Sequence, residues 1–140
     1  MVFTQRQRGG RPLNLVVTGE AESWLPALET IVGPRYLLAH RVVGDRELLE
    51  IVSGHAADAA VLDDAVDWQL DVLRMLRMIR RLDRMLPVVV VTGRPDRHWM
   101  ETALDLAAFS VVTRPLALEV LLRQIRRLME RLDEALRQEE

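Results

Sequence analysis

The sequence predicts an α/β domain: a doubly wound, five-stranded parallel sheet with helices on both faces. Short apolar runs alternate with longer stretches of helical periodicity five times along the chain. The apolar runs are continuous rather than alternating, which is typical of strands that are covered on both faces. With 140 residues, of which 49% are hydrophobic, the chain is long enough for one such domain and too short for two ordinary ones.

Each element is predicted from its local pattern. In the first half, strands are predicted at 13–17, 36–43 and 59–62, and helices at 20–32 and 46–53. In the second half, strands are predicted at 88–91 and 109–113, and helices at 68–84, 97–106 and 116 to about 138. The four valines at 88–91 give the clearest strand signal, because β-branched residues fit a sheet interior. Asp96 is placed to cap the fourth helix.

The composition excludes several classes of function. The chain has no cysteine, which excludes disulfides, thiol catalysis and cysteine-bound metals. The formal net charge is −2, so no general positive field favours nucleic acid as a partner. No apolar run approaches the ~20 residues that span a bilayer, and the N-terminus lacks the apolar core of a secretory signal. The sequence therefore predicts a cytoplasmic protein with no membrane partner.

Three segments are expected along the chain. Residues 1–12 carry Arg6, Arg8 and Arg11 without an acid, which predicts a flexible basic arm. The α/β domain is expected at 13–129, and a helical extension at 130–140.

The polar residues of most interest follow the strands. In doubly wound sheets, ligands bind beyond the carboxyl ends of the strands, near the point where the strand order reverses. Four segments are predicted to meet there, namely Thr18-Gly19-Glu20, Asp63-Asp64, Thr92-Gly93 and Arg114-Pro115. They supply acids at two strand ends, a hydroxyl at the next and a cation at the last.

Other candidates have simpler interpretations. His40, His55 and His98 lie on separate segments, so surface positions are expected rather than a metal site. Trp68 and Trp99 are either anchors for a partner or packing residues. Arginines recur at helical spacing on the third and last helices, where interspersed acids favour a solvated face. These arginines are Arg74, Arg77, Arg81 and Arg84, and Arg123, Arg126, Arg127 and Arg131.

The order and spacing of four segments resemble the CheY-like receiver domain of bacterial two-component response regulators. The segments are residues 58–63, 76–80, 86–93 and 109–116, and the resemblance covers about residues 13–129. It implies a flavodoxin-like fold. It also implies that Asp63 is the phospho-acceptor, that Thr92 and Arg114 assist it, and that Mg²⁺ binds beside it.

This chain departs from the pattern of the family at the same site. The resemblance places the family's acidic pair at Thr18 and Gly19, which leaves Glu20 and Asp63 as the metal ligands. Weak Mg²⁺ binding is therefore expected, unless Asp64 or Asp67 joins the site. The family's lysine is matched by Arg114, and its aromatic residue on the fifth strand by Val111.

Two functions remain open. One is an atypical receiver that serves as an interaction module, with weakened or lost phosphorylation, and is not an enzyme. The other is a Mg²⁺-dependent phospho-acceptor that a histidine kinase or a phosphotransfer protein phosphorylates on Asp63. In both, the resemblance implies a downstream partner or output domain.

The last helix predicts an assembly. Its apolar stripe continues through Leu132 and Leu136, past the point, near Met129, where the sheet is expected to end. Either these leucines fray in water, or they form a homodimer or lead into an output domain. In the dimer, Arg126, Glu130, Arg131 and Glu134 are expected at the rim, and Leu132→Glu with Leu136→Glu is expected to give a folded monomer.

Overall fold

The computed structural model describes residues 11–18, 24–64, 71–93, 96–114 and 117–139, with side chains as far as Glu134. Nearly all of the predicted basic arm, and Glu20, Asp67 and Trp68, lie outside the described residues. The side chain of Leu136 also lies outside them.

Five strands and five helices alternate, as the sequence predicts. The strands are β1 Leu13–Val17, β2 Leu37–Arg41, β3 Ala59–Asp63, β4 Val88–Thr92 and β5 Ser110–Thr113. The helices are α1 Leu25–Val32, α2 Asp45–Ser53, α3 Val72–Leu82, α4 Arg97–Asp105 and α5 Leu118–Glu139. All strand pairs are parallel, in the order β2-β1-β3-β4-β5. The predicted doubly wound fold is confirmed.

The sheet separates two apolar layers. One layer joins the sheet to α1 and α5, and the other joins it to α2, α3 and α4. All five residues of β3 and all five of β4 are buried, because helices cover both faces of these central strands. This arrangement accounts for their continuous apolar sequences.

The edge strand β2 is shorter than its predicted range of 36–43. It pairs with β1 alone, and only Leu37 of its five residues is buried. Val43, which the sequence pattern placed in the strand, is 86% exposed. An edge strand lacks the two-sided burial that sharpens a strand signal, so its end was predicted too late.

Helix caps fix two of the helix starts. The Asp71 carboxylate accepts a hydrogen bond from the Arg74 N–H at 2.9 Å, so α3 begins at Val72. The Asp96 carboxylate accepts hydrogen bonds from the N–H groups of His98 and Trp99, at 2.9 and 3.5 Å. The predicted cap of α4 is confirmed.

Arg80 holds the end of α3 against the turn between α4 and β5. Its guanidinium donates hydrogen bonds to the carbonyl oxygens of Leu106, Ala107 and Asp83, at 3.2, 2.9 and 3.2 Å. Burial lowers the pKa of this guanidinium, and Arg131 lowers it further, whereas Asp83 raises it. The three carbonyl acceptors compensate for the desolvation of the charge.

The packing of α5 extends further than the sequence predicts. Leu121, Ile125 and Leu128 are fully buried, and Met129 is 3% exposed. Leu132 is half-buried against the same apolar layer, so the expectation that it extends beyond its own domain is wrong. The apolar layer therefore reaches at least as far along α5 as Leu132.

The solvent faces of the helices are charged. On α5, the exposed side chains after Glu119 are Arg123, Arg126, Arg127, Glu130, Arg131 and Glu134. On and just after α3, Arg74, Arg77, Arg81 and Arg84 are exposed. Trp99 is half-buried and packs against the second apolar layer. Within the described residues, no helix is long and apolar enough to cross a membrane.

Candidate functional site

The predicted site residues that the structure describes meet at the carboxyl edge of the sheet, whereas Glu20 lies outside the described residues. Asp63 ends β3, and Thr18 follows β1, which is its neighbour in the sheet. Thr92 ends β4, and Arg114 follows β5. The parallel register sets Asp63 beside Val91 and Thr92 beside Thr113, so four strand ends surround one small volume.

Thr18 supports the backbone of Asp63. Its side chain is buried, and its hydroxyl oxygen accepts a hydrogen bond from the Asp63 N–H at 2.9 Å. The same hydroxyl lies 3.4 Å from the carbonyl oxygen of Val61, to which it can donate. The residue at the position of the family's acidic pair is therefore a neutral structural contact of the β3 end.

Asp63 and Arg114 form an ion pair inside this site. The Asp63 side chain is 2% exposed, and its Oδ1 accepts a hydrogen bond from Nη1 of Arg114. The Arg114 side chain is 31% exposed, so the pair is largely shielded from solvent. A carboxylate that is removed from water needs such a charged donor, because its own desolvation is unfavourable.

Arg114 also pairs with Asp64. Its Nη2 lies 2.8 Å from Oδ1 of Asp64, whose side chain is 9% exposed. The guanidinium thus bridges two adjacent carboxylates, and its backbone N–H donates to the carbonyl oxygen of Thr92 at 2.8 Å. One cation therefore pairs with both acids at the end of β3, and the negative charge of the two carboxylates exceeds its single positive charge.

Asp64 takes a larger part in the site than the sequence predicts. Its Oδ2 accepts a hydrogen bond from the Thr92 hydroxyl, and its Oδ1 accepts one from the Gly93 N–H at 3.2 Å. The sequence predicts only that Asp64 is a substitute metal ligand. The sequence contained a signal for this role. Asp64 is the first residue after the buried strand β3, and such a residue lies beside the end of the neighbouring strand.

The described residues do not fit a divalent cation as they stand. The guanidinium of Arg114 contacts both carboxylates, and the Gly93 N–H and the Thr92 hydroxyl donate to Asp64 as well. Mg²⁺ requires oxygen ligands that are not already neutralised by a fixed cation. Among the residues with described positions, no group of three histidines and acids could hold a metal ion.

The histidines are at the surface, as the sequence analysis expected. His40 lies 2.9 Å from a carboxylate oxygen of Glu47, and His55 lies 3.7 Å from one of Asp83. His98 is exposed in the first turn of α4. Val111, at the position of the family's aromatic residue, is half-buried beside α4.

Gly93 provides the space for Arg114. A methyl group at Gly93 would lie 2.6 Å from Nη2 of Arg114, which is closer than two such atoms approach. We expect Gly93→Ala to push the guanidinium away from Asp64 and to lower the free energy of unfolding by about 1 kcal/mol, measured by urea denaturation. The same substitution in an Arg114→Ala background is the control. It should be nearly neutral there, and an equal loss in both backgrounds would contradict the assignment.

Curated relatives match about two thirds of the chain. Response regulator MprA of Mycolicibacterium vanbaalenii is 35% identical over 86 residues. The match covers 61% of this chain and 37% of that relative. No protein-family model matches the sequence. The chain spans well under half the length of the curated relatives that it matches.

Solved structures share the fold over most of the chain. A CheY-like response regulator receiver domain from Methanospirillum hungatei JF-1 has a TM-score of 0.75 and 14% identity, and the match covers 89% of this chain and 98% of that one. The receiver domain of TorR, the response regulator of a TMAO respiratory system, has a TM-score of 0.73 and 24% identity, with coverages of 87% and 100%. The curated relatives are response regulators, and the solved structures show that the fold is that of CheY-like receiver domains.

Proposed function

Because this chain is a response-regulator receiver domain, we propose that it acts in signal transduction as an interaction module whose state does not depend on phosphorylation of Asp63. The observation that carries the proposal is the pairing of Arg114 with both Asp63 and Asp64. A carboxylate that attacks phosphorus needs an accessible oxygen and a cation that can also bind the phosphoryl group. Here the cation is a side chain that is already engaged by two acids.

The Thr92 hydroxyl, another hydrogen-bond donor of the site, already has an acceptor. The Thr92 hydroxyl is bonded to Asp64, and Asp64 additionally accepts the Gly93 N–H. An incoming phosphoryl group would have to displace these contacts one by one. We therefore infer weak Mg²⁺ binding and slow phosphoryl transfer.

The alternative is a working phospho-acceptor, phosphorylated by a histidine kinase or a phosphotransfer protein. It is favoured by the position of Asp63 at the end of β3, with Thr92 and Arg114 nearby. In that reaction, an Asp63 oxygen would bond to phosphorus as the bond to the donor breaks. Arg114 holds Oδ1 of Asp63, so the attacking atom would be the other carboxylate oxygen, or Oδ1 after Arg114 has moved away.

Incubation with acetyl phosphate and Mg²⁺ separates the two functions. We expect the intact mass of the protein to stay unchanged, and its amide NMR spectrum to stay unchanged on addition of beryllium fluoride. A Mg²⁺ titration should give a dissociation constant no tighter than the millimolar range. Asp63→Asn is the matched control for the mass measurement.

A clear result would decide against the proposal. Addition of one phosphoryl group to the wild type but not to Asp63→Asn would establish the acceptor function. A micromolar dissociation constant for Mg²⁺ would show that Arg114 yields to the ion. Arg114→Lys, which shortens the donor fork to a single point charge, should increase phosphorylation if Arg114 is the obstacle.

We propose that partner contacts are made by α4, β5 and α5. Leu104 on α4 is 52% exposed, and the outward face of α5 is charged. This surface therefore combines an exposed apolar side chain with a charged helix. We propose that a downstream partner or a second copy docks there. The packing of Leu132 into its own domain removes one of the two leucines on which the homodimer prediction was based. Dimerisation through the last helix stays a prediction that depends on Leu136.

A further inference from the structure

Three hydrogen-bond donors converge on the carboxylate of Asp64. They are the Thr92 hydroxyl, the Gly93 N–H at 3.2 Å and Nη2 of Arg114 at 2.8 Å. The donors come from the end of β4, the residue after it and the residue after β5. A hydroxyl, a backbone amide and a guanidinium that point at one place form a donor set suited to an oxyanion.

We propose that the donors form an oxyanion site and that the Asp64 carboxylate is its permanent occupant. The internal carboxylate would hold the ends of β3, β4 and β5 in one arrangement without any added anion. This inference rests on the proposed function, because it supplies the reason why the state of the domain does not depend on Asp63. It assigns Asp64 a role that the resemblance to the family does not give it.

Burial and charge favour the internal anion over a free one. The Asp64 side chain is 9% exposed, so its contacts with the donors are little screened by water. A carboxylate on the same chain has no association entropy to overcome, whereas a dissolved anion does. The negative charge of Asp63 lies in the same site and repels any additional anion.

Removal of the Asp64 carboxylate tests the proposal. Asp64→Ala should leave Thr92, Gly93 and Arg114 directed at an empty position, which inorganic phosphate can enter. We expect phosphate to shift the Gly93 amide signal of Asp64→Ala saturably and reversibly, with no change in mass. The dissociation constant should be at least about tenfold lower than for the wild type, which is a difference of ~1.4 kcal/mol.

Two variants control for other causes. Asp105→Ala removes an exposed aspartate of α4, outside the site, and should bind phosphate no better than the wild type. Asp64→Asn keeps the shape and the acceptor oxygen of the side chain, so it should leave the site closed. Phosphate should also raise the urea midpoint of Asp64→Ala and not that of Asp64→Asn.

The outcomes are separable from those of the proposed function. If Asp64→Ala shows no phosphate-dependent shift at Gly93, or if phosphate affects all four proteins equally, the oxyanion site is refuted. If Asp64→Ala fails to fold alone, refolding with phosphate tests the same point, and failure of phosphate to restore folding refutes it. Phosphorylation of wild-type Asp63 by acetyl phosphate would instead refute the proposed function, whatever the variant binds.

Discussion

Replacing Arg114 with alanine is expected to lower the free energy of unfolding by about 3 kcal/mol, the largest loss among single changes at this site. The substitution removes the guanidinium that pairs with both Asp63 and Asp64, while Asp63 stays almost fully buried. A buried carboxylate that loses its cation keeps the cost of its desolvation and loses the compensating attraction. Urea denaturation followed by circular dichroism measures the loss.

An exposed ion pair provides the matched comparison. Arg97 and Glu101 on α4 are joined at 2.8 Å, but their side chains are 91% and 55% exposed. Arg97→Ala should therefore cost no more than about 0.5 kcal/mol. If the two alanine variants lose similar stability, the Arg114 pair is no stronger than a surface contact and the account of the site is wrong.

A double-mutant cycle identifies the source of the effect. In an Asp63→Asn background, one of the two carboxylates that pair with Arg114 has lost its charge. The loss caused by Arg114→Ala should then shrink by about 1 kcal/mol or more. If the losses caused by Arg114→Ala and Asp63→Asn are simply additive, the stabilisation by Arg114 does not come from its contact with Asp63.

Replacing Thr18 with valine is expected to cost about 2 kcal/mol, although the two side chains have nearly the same shape. The hydroxyl of Thr18 accepts the Asp63 N–H in a buried position, and valine offers no acceptor. Leaving a buried N–H without its acceptor costs ~1–3 kcal/mol. The loss should appear as a lower urea midpoint with an unchanged slope.

Thr30→Val is the control for this change. The hydroxyl of Thr30 donates to the carbonyl oxygen of Pro26 at 2.9 Å on the exposed side of α1, where water can replace it. We expect a change within about 0.5 kcal/mol. Equal losses at the two positions would show that the effect comes from valine itself rather than from the Asp63 N–H.

The sequence by itself determined the fold and brought four polar residues to one edge of the sheet. The continuous apolar residues of β3 and β4 indicated strands covered on both faces, and therefore a parallel sheet with helices on each side. Since parallel strands end at the same edge, Thr18, Asp63, Thr92 and Arg114 had to lie near one another. The bounds of an edge strand, which has a neighbouring strand on one side only, were harder to predict, as the late predicted end of β2 shows.

Only the tertiary structure decided how these side chains pair. Arg114 follows Asp63 by 51 residues, and its long side chain could reach the solvent, Asp63 alone or both acids. The choice depends on the space that Gly93 leaves and on the direction in which Asp64 leaves the strand end. The depth of Leu132 is a similar case, because helical periodicity gives the face on which a residue lies but not how far its neighbours extend. Pairing and depth depend on contacts between distant segments, and these contacts are absent from any local pattern.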